Sequence, residues 1–591
     1  MSQLTVDKKT GAEAISWDLS DLFSAIDDPR INEILKTSKS FAEAFAAKYK
    51  GKVKALTDAQ IGEAYLALEE LLTPLYKVSQ FASLVYSTDT SNEAAKALDA
   101  KIDEEESYIG NILIFFDLEI GTLDREVNVA NYGYQVAHIR KTAKFNLSEK
   151  EEQAINLKNL TGARAFKKMY SELTSSFKFK ITVDGKEKEM NGSELRALRE
   201  HEDKNVRRQA MKLFFERYKD NKIVVTHVFN NILKSFNVER KLRGYPTPIN
   251  VRNVGNDLDD KAVEALHDVT TESYRLVQRY YKLKAKILNL PDLGLADIYA
   301  PMPKSTKDYT WDEAKAMVLE GFRAFDEEFY TMAKRMFDEN RIDGPIRPNK
   351  RGGAFCSSST PDVLPYVMLN FLGRARDVST MAHELGHAIH DMLCSKQTLI
   401  NYHPILPLAE TASVFCEMII TDLVLKREKD PVARQALLTD KLEDIFATSH
   451  RQNMFSRFEM ATHEKLSDGI LSSEEYSKIY KEELKKMFGD SVVYPDEFDW
   501  EWSSIPHMID YPFYVYSYNF GNLLVMALYQ QYKDEGKSFV PKLKNLLALG
   551  SSKSPDEITA TVQADIRNPE FWRKSLRYIQ SLIDELESLT K

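Results

Sequence analysis

Cysteine is scarce in this chain: 591 residues contain three, Cys356, Cys394 and Cys416. So few, so unevenly spaced, do not form a disulfide framework, and a reducing cytoplasm is the expected setting. Long apolar runs are missing as well. No stretch of about 18 uninterrupted apolar residues occurs, which argues against a membrane-spanning helix. The first residues, Met1 to Lys9, lack the apolar core of a signal peptide. Charge of one sign is nowhere concentrated. The formal net charge of −9 is spread along the chain without a basic stripe, so neither nucleic acid nor membrane is an expected partner. No fixed-period repeat is visible, which argues against a helical solenoid.

What the chain does have is length and an ordinary globular balance. Hydrophobic residues make up 43 % and charged residues 29 %, which suits a helix-rich protein with a large core and more than one lobe. A helical period runs through Ile61 to Tyr86, Ala95 to Glu119, Asn205 to Tyr218, Val224 to Leu242 and Lys261 to Leu288. One clear exception is the alternating Phe177-Lys178-Phe179-Lys180-Ile181-Thr182-Val183, which meets Asp184-Gly185 and a charged return segment and predicts a β-hairpin near 177–190. The main boundary is placed near residue 200, after this hairpin and a helix from Ser193, giving an N-terminal helical region (1–200) and a second region (201–591). Pro301 to Lys307 and Asn340 to Gly353 read as irregular.

The chemistry is concentrated in His383-Glu384-Leu385-Gly386-His387. On a helix, residues four apart stand one turn above each other, so His383 and His387 can offer imidazole nitrogens to one metal ion. Glu384 is rotated to where its carboxylate reaches a water instead of the metal, the place of a general base. Upstream, Tyr366 to Gly373 reads as a buried strand, and Asp377 or Ser379 can cap the following helix. That helix carries apolar residues on more than one face, as a core helix does. Gly386 costs about 1 kcal/mol in a helix interior, and close approach of another element explains it. A zinc enzyme needs a third protein ligand, and the sequence offers Glu410, 23 residues after His387, near the start of a second helix in which Pro407 would be a first-turn residue. A third histidine six residues after His387 is excluded, because position 393 is Leu. His390 and His403 read as structural or surface residues. Glu417 is either a partner of a ligand histidine or a structural ion-pair carboxylate.

The run Arg376 to His390, with Glu410-Thr411-Ala412-Ser413 after it, resembles the thimet oligopeptidase superfamily of zinc metallopeptidases, and within it oligoendopeptidase F. The likeness extends from about residue 115 to the C-terminus. It implies a mainly α, two-lobed helical metallopeptidase with a deep substrate channel and a small β-sheet beside the zinc-binding helix, and makes 201–591 the catalytic domain. It further implies one Zn2+ per chain on His383, His387 and Glu410, with Glu384 as general base. The segment His507 to Tyr518 resembles the family's substrate-binding His/Tyr stretch, with His507 and Tyr518 at the oxyanion and Tyr511 and Tyr514 on the substrate. Tyrosine hydroxyls suit that task because they donate a hydrogen bond and stay neutral near physiological pH. Four tyrosines crowd this stretch, which leaves the roles of Tyr514 and Tyr516 open. Gly352-Gly353-Ala354-Phe355-Cys356 resembles the edge strand that pairs with a peptide backbone, so Gly353, Ala354 and Phe355 are expected to bind substrate.

The expected function is hydrolysis of internal bonds in short oligopeptides by a metal-activated water, in intracellular peptide turnover. The alternative is a zinc-bound protein that holds peptides without cutting them. The intact Glu384 argues against it, since binding alone has no need of that carboxylate. Oligomeric state has no signature in the sequence.

Overall fold

A computed structural model describes residues 9–302, 308–466 and 469–590. Helix accounts for 69 % of the chain and strand for 3 %, so the mainly α expectation holds. Among the described residues, strands β1 (Phe179–Val183) and β2 (Lys186–Met190) form the expected hairpin, while β3 (Ile342–Asp343), β4 (Phe355–Ser357) and β5 (Tyr366–Met368) form a sheet ordered β3-β5-β4. The hairpin turns on two left-handed residues, Asp184 at φ +54° and Gly185 at φ +74°, as a two-residue loop demands. No helix among the described residues is long and apolar enough to cross a membrane. Part of the irregular stretch Pro301 to Lys307 lies outside the described residues.

Two of the expected helices are broken in the middle. Lys261 to Leu288 divides into Asp260–Glu272 and Tyr274–Ile287. Around the break, the hydroxyls of Thr270, Thr271 and Ser273 donate back to the carbonyls of Leu266, His267 and Thr270, a competition that bends helices. Ala95 to Glu119 divides at Ile114 into Glu93–Leu113 and Phe115–Gly121. The second piece carries Phe115 and Phe116 into an apolar cluster with Phe45 and Tyr65. The other three helices form near their expected bounds, as Asp58–Thr88, Lys204–Asp220 and Lys222–Arg243.

The chain forms two compact units, each assembled from three separate segments. The first comprises Met1–Lys144, Thr306–Arg427 and Gln531–Ala564; the second comprises Phe145–Ser305, Glu428–Gln530 and Asp565–Lys591. The sequence boundary near residue 200 falls within the first segment of the second unit.

In the first unit the helix Asp58–Thr88, capped reciprocally by Thr57 and Gln60, runs through two apolar clusters. Its Leu75, Val78 and Phe81 share one cluster with Trp17 and with Tyr366 and Met368 of β5, which ties the small sheet to the helical core. Strand β5 is shorter than the expected Tyr366 to Gly373, but the N–H groups of Leu369 and Phe371 still donate to the carbonyls of Asp343 and Gly344. Beside the sheet, Lys350 Nζ lies 2.5 Å from Asp343, with both side chains fully buried, and donates to Leu369 O at 2.6 Å. Such a pair is tolerated only when its hydrogen bonds are satisfied.

The second unit is built on a different core, an aromatic stack of Phe229, Tyr476 and Trp502. The same unit holds a buried ion pair, with Arg207 and Asp297 at 2.9 Å.

Candidate active site

The motif helix, Ala375–Cys394, carries His383, Glu384 and His387. Asp377, one of the two expected caps, accepts from the N–H groups of Leu372 and Arg374 and fixes the helix start. The next long helix, Thr411–Arg427, begins one residue after Glu410. Pro407 lies instead in a separate short turn, Leu406–Leu408. Glu410 therefore precedes the helix, and its carbonyl accepts the Val414 N–H. A Cβ on Gly386 would stand 2.6 Å from Ser413 Cα and 2.8 Å from Ala412 O. The two helices thus meet backbone to backbone at Gly386, the close approach that the sequence predicts. This contact carries Glu410 to the histidine pair.

There, Glu410 Oε2 lies 3.3 Å from His383 Nε2 and 3.3 Å from His387 Nε2. One ligand atom from each of the three residues falls within 4.8 Å of the others. Ligands about 2.05 Å from a tetrahedral zinc stand roughly 3.3 Å apart, so the donor set and the N···O spacing fit that ion. Burial disfavours the charged form of His383, yet hydrogen bonds to Glu410 and Glu417 outweigh it and push it up to about 10. The Glu410 carboxyl is raised by burial but held far below the usual carboxylate range by the two imidazoles. Glu417 Oε2 lies 3.5 Å from His383 Nδ1, the position of a partner that orients a ligand histidine. Glu384 is 6 % exposed. Burial raises its carboxyl, against the pull of both imidazoles and a hydrogen bond from the Cys356 N–H. His390 is buried and bonded to the Leu547 backbone, while His403 is half-exposed, 3.9 Å from Asp391; neither belongs to the triad.

Ser413 was not legible as a site residue. Its hydroxyl donates to Glu410 Oε2 at 2.7 Å, and the only sequence signal is a serine three residues after a ligand. Ser413→Ala is expected to weaken metal binding by about ten- to a hundredfold, the usual effect of losing a group that orients a ligand. Competition with a chromophoric chelator measures it, and an unchanged affinity would show that Glu410 is held without the hydroxyl.

Strand β4 lies at the outer edge of its sheet and packs against the motif helix. Phe355 begins the strand, with Gly353 and Ala354 just before it. Gly352 and Gly353 face open space, and Gly353 is left-handed at φ +84°. The Cys356 N–H bond to Glu384 puts the strand beside the candidate base. No side-chain pattern announces it, because the donor is main chain.

His507, Tyr511, Tyr514 and Tyr518 gather in the second unit. His507 and Tyr514 lie parallel at 6.4 Å between ring centroids. Tyr518 meets both edge-on, at 6.2 Å from His507 and 5.2 Å from Tyr514, and Tyr511 lies 6.2 Å from Tyr514. Tyr516 points the other way: it is fully buried, and its hydroxyl accepts from Asn256 at 2.9 Å. Tyr516 is thus a core residue, whereas Tyr514 is half-buried beside the exposed Tyr511 and Tyr518.

A carboxylate drawn onto an imidazole pair, on a helical scaffold, is the arrangement of a metallopeptidase. The family follows from comparison with known proteins. Residues 197–578, more than half the chain, match Peptidase family M3, and residues 122–179 match Oligopeptidase F. The chain belongs to peptidase family M3, and is accordingly a hydrolase of peptide bonds. It is 26 % identical to Oligopeptidase PepF of Bacillus subtilis over 97 % of this chain and 87 % of that one. It is also 26 % identical to an oligoendopeptidase F homolog of Borreliella burgdorferi, over 97 % and 98 % of the two chains. A putative peptidase from Chlamydophila abortus shares the fold with a TM-score of 0.85 at 24 % identity, covering 99 % of both chains. Oligoendopeptidase-F from Enterococcus faecium shares it at 0.69 and 22 %, covering 95 % and 97 %.

Proposed function

We propose that the protein is a zinc-dependent endopeptidase that cuts internal bonds of short oligopeptides in the cytoplasm. The observation that carries the reading is the convergence of His383 Nε2 and His387 Nε2 on one Glu410 oxygen, 3.3 Å from each, beside the buried Glu384. Zinc held by these three residues would supply Lewis acidity and a more acidic water. Glu384 takes the proton of the attacking water and returns it to the leaving amine nitrogen. The free edge of β4, with Gly353, Ala354 and Phe355, receives the substrate backbone as an added strand. His507 and Tyr518 donate hydrogen bonds to the oxyanion, and Tyr511 and Tyr514 contact the substrate. These last roles rest on the resemblance of the segment and on its shared, outward-facing aromatic group. The division at residue 200, with catalysis assigned to 201–591, is supported by the family matches on either side of it. The deep channel and the restriction to short peptides are supported by relatives named oligopeptidase and oligoendopeptidase. The cytoplasmic setting is supported by three free thiols.

The test is cleavage of an internally quenched peptide library beside a folded protein, with metal content determined before and after chelation. Cleavage of peptides only, lost with the metal and restored by zinc, is the expected result. Peptides bound but uncut by the zinc-loaded protein would overturn the catalytic reading. A folded protein cut as fast as the peptides would overturn the size limit.

A further inference from the structure

We propose that Glu459 is a positioning residue for the His507–Tyr518 segment, holding through the Phe513 N–H a left-handed turn that sets the direction of Tyr514 and Tyr518. The inference rests on the reading that this segment meets the substrate.

Ionisable side chains from three helices converge on the main chain of this segment. Lys167, on Ala163–Ser175, donates to Asp510 O at 2.5 Å. Arg252, on Pro248–Gly255, reaches Pro512 O at 3.4 Å. Glu459, on Arg451–Lys465, accepts the Phe513 N–H at 2.8 Å through Oε1. Of the three, Glu459 is the least expected. It is 2 % exposed, and its second oxygen has no hydrogen-bond partner. An interior carboxyl so poorly matched opposes folding.

The residue it holds is strained. Phe513 has φ +59°, a region that bulky side chains rarely adopt. Its ring is fully buried, 4.8 Å from His463 and 5.9 Å from Phe236 between centroids. The turn cannot relax without withdrawing that ring from the core. Since Pro512 has no N–H, the Phe513 amide is the first donor after Tyr511 by which the turn can be fastened. Beyond it the chain resumes with Tyr514 outward and Tyr516 inward. An unmatched carboxyl and a left-handed aromatic, side by side, are a poor solution for stability alone. They make sense as the fixed point from which the exposed rings are aimed. Burial pushes Glu459 up to about 8, so it is neutral near physiological pH and glutamine is a close replacement.

The experiment compares Glu459→Gln, Glu459→Asp and Glu459→Leu with Tyr518→Phe, measuring kcat, KM and metal content on a quenched peptide. Glutamine keeps the acceptor at its reach and is expected to stay within about twofold of the parent, whereas aspartate, one methylene short, and leucine, without an acceptor, lower kcat at least about tenfold with metal retained and KM changed less. Folded, metal-loaded Asp or Leu variants with the parent's kcat overturn the proposal, and so does a Gln variant as impaired as the Asp one. Should the Leu variant not fold, the Asp and Gln pair decides. A silent Tyr518→Phe would instead overturn the reading of the segment itself, whereas a damaging Tyr518→Phe beside harmless Asp and Leu changes would overturn the Glu459 proposal alone.

Discussion

Glu384→Gln is expected to abolish peptide hydrolysis and to leave metal binding intact. The substitution preserves volume at a residue that is 6 % exposed, and the amide oxygen can still accept the Cys356 N–H. What it removes is the ability to take a proton. General-base catalysis contributes on the order of 10²–10⁴ in rate, so kcat should fall by that factor or beyond detection. His383, His387 and Glu410 are untouched, and the metal content should match that of the parent chain. Quenched-peptide kinetics with metal analysis on the same samples read both quantities. A variant that cleaves at the parent's rate would remove Glu384 from the mechanism. One that loses its metal would show that the carboxylate helps to build the site and leave its part in proton transfer unsupported.

Gly386→Ala is expected to be nearly as damaging, though the residue touches no substrate. Two effects of opposite sign compete. Alanine favours the helix over glycine by about 1 kcal/mol. The added methyl would stand 2.6 Å from Ser413 Cα and 2.8 Å from Ala412 O, against backbone that has no rotamer to change. Overpacking of this kind typically costs about 1–3 kcal/mol, so the balance is destabilising. The strain falls on the contact that carries Glu410, and parting the helices draws that carboxylate from the histidines. Metal affinity should fall by roughly a hundredfold, the upper end for disturbing groups that orient a ligand. Thermal unfolding and a metal titration check it; an alanine variant that binds metal as the parent does would mean the helices part without moving Glu410.

The site was legible to the extent that it obeys helical spacing. His383 and His387 are four apart, and Gly386 is conspicuous where helix propensity disfavours it; the structure accounts for both through the crossing at Ser413. Glu410 was a candidate that the family resemblance singled out, but its station just outside the helix was not foreseen. Ser413 and the Cys356 N–H were missed for different reasons: a serine hydroxyl has many possible partners, and a main-chain donor has no letter in the sequence. The tyrosine-rich segment shows where periodicity runs out. Tyr514 and Tyr516 are chemically equivalent as letters, and only the left-handed Phe513 and the Asn256 bond decide which faces solvent. Helix breaks were missed at Ser273 and Ile114, because the apolar period continues across both while hydroxyl back-bonding or aromatic packing bends the backbone. The interleaving of segments is a matter of contacts between distant residues, which local patterns do not encode.

That interleaving governs the order in which the molecule can be made. The first unit draws its last segment from Gln531–Ala564, and the second draws its own from Asp565–Lys591. As the chain leaves the ribosome, neither unit has all its parts until more than nine-tenths of the sequence has emerged. The early helices pack largely on one another, but Tyr366 and Met368 join their cluster only from far downstream, and loop-closure entropy makes such pairings slow. His383, His387 and Glu410 are synthesised well before the residues that complete their unit. Both units become whole only once residues 531–591 have been made, so a nascent peptidase of this design gains its scaffold late.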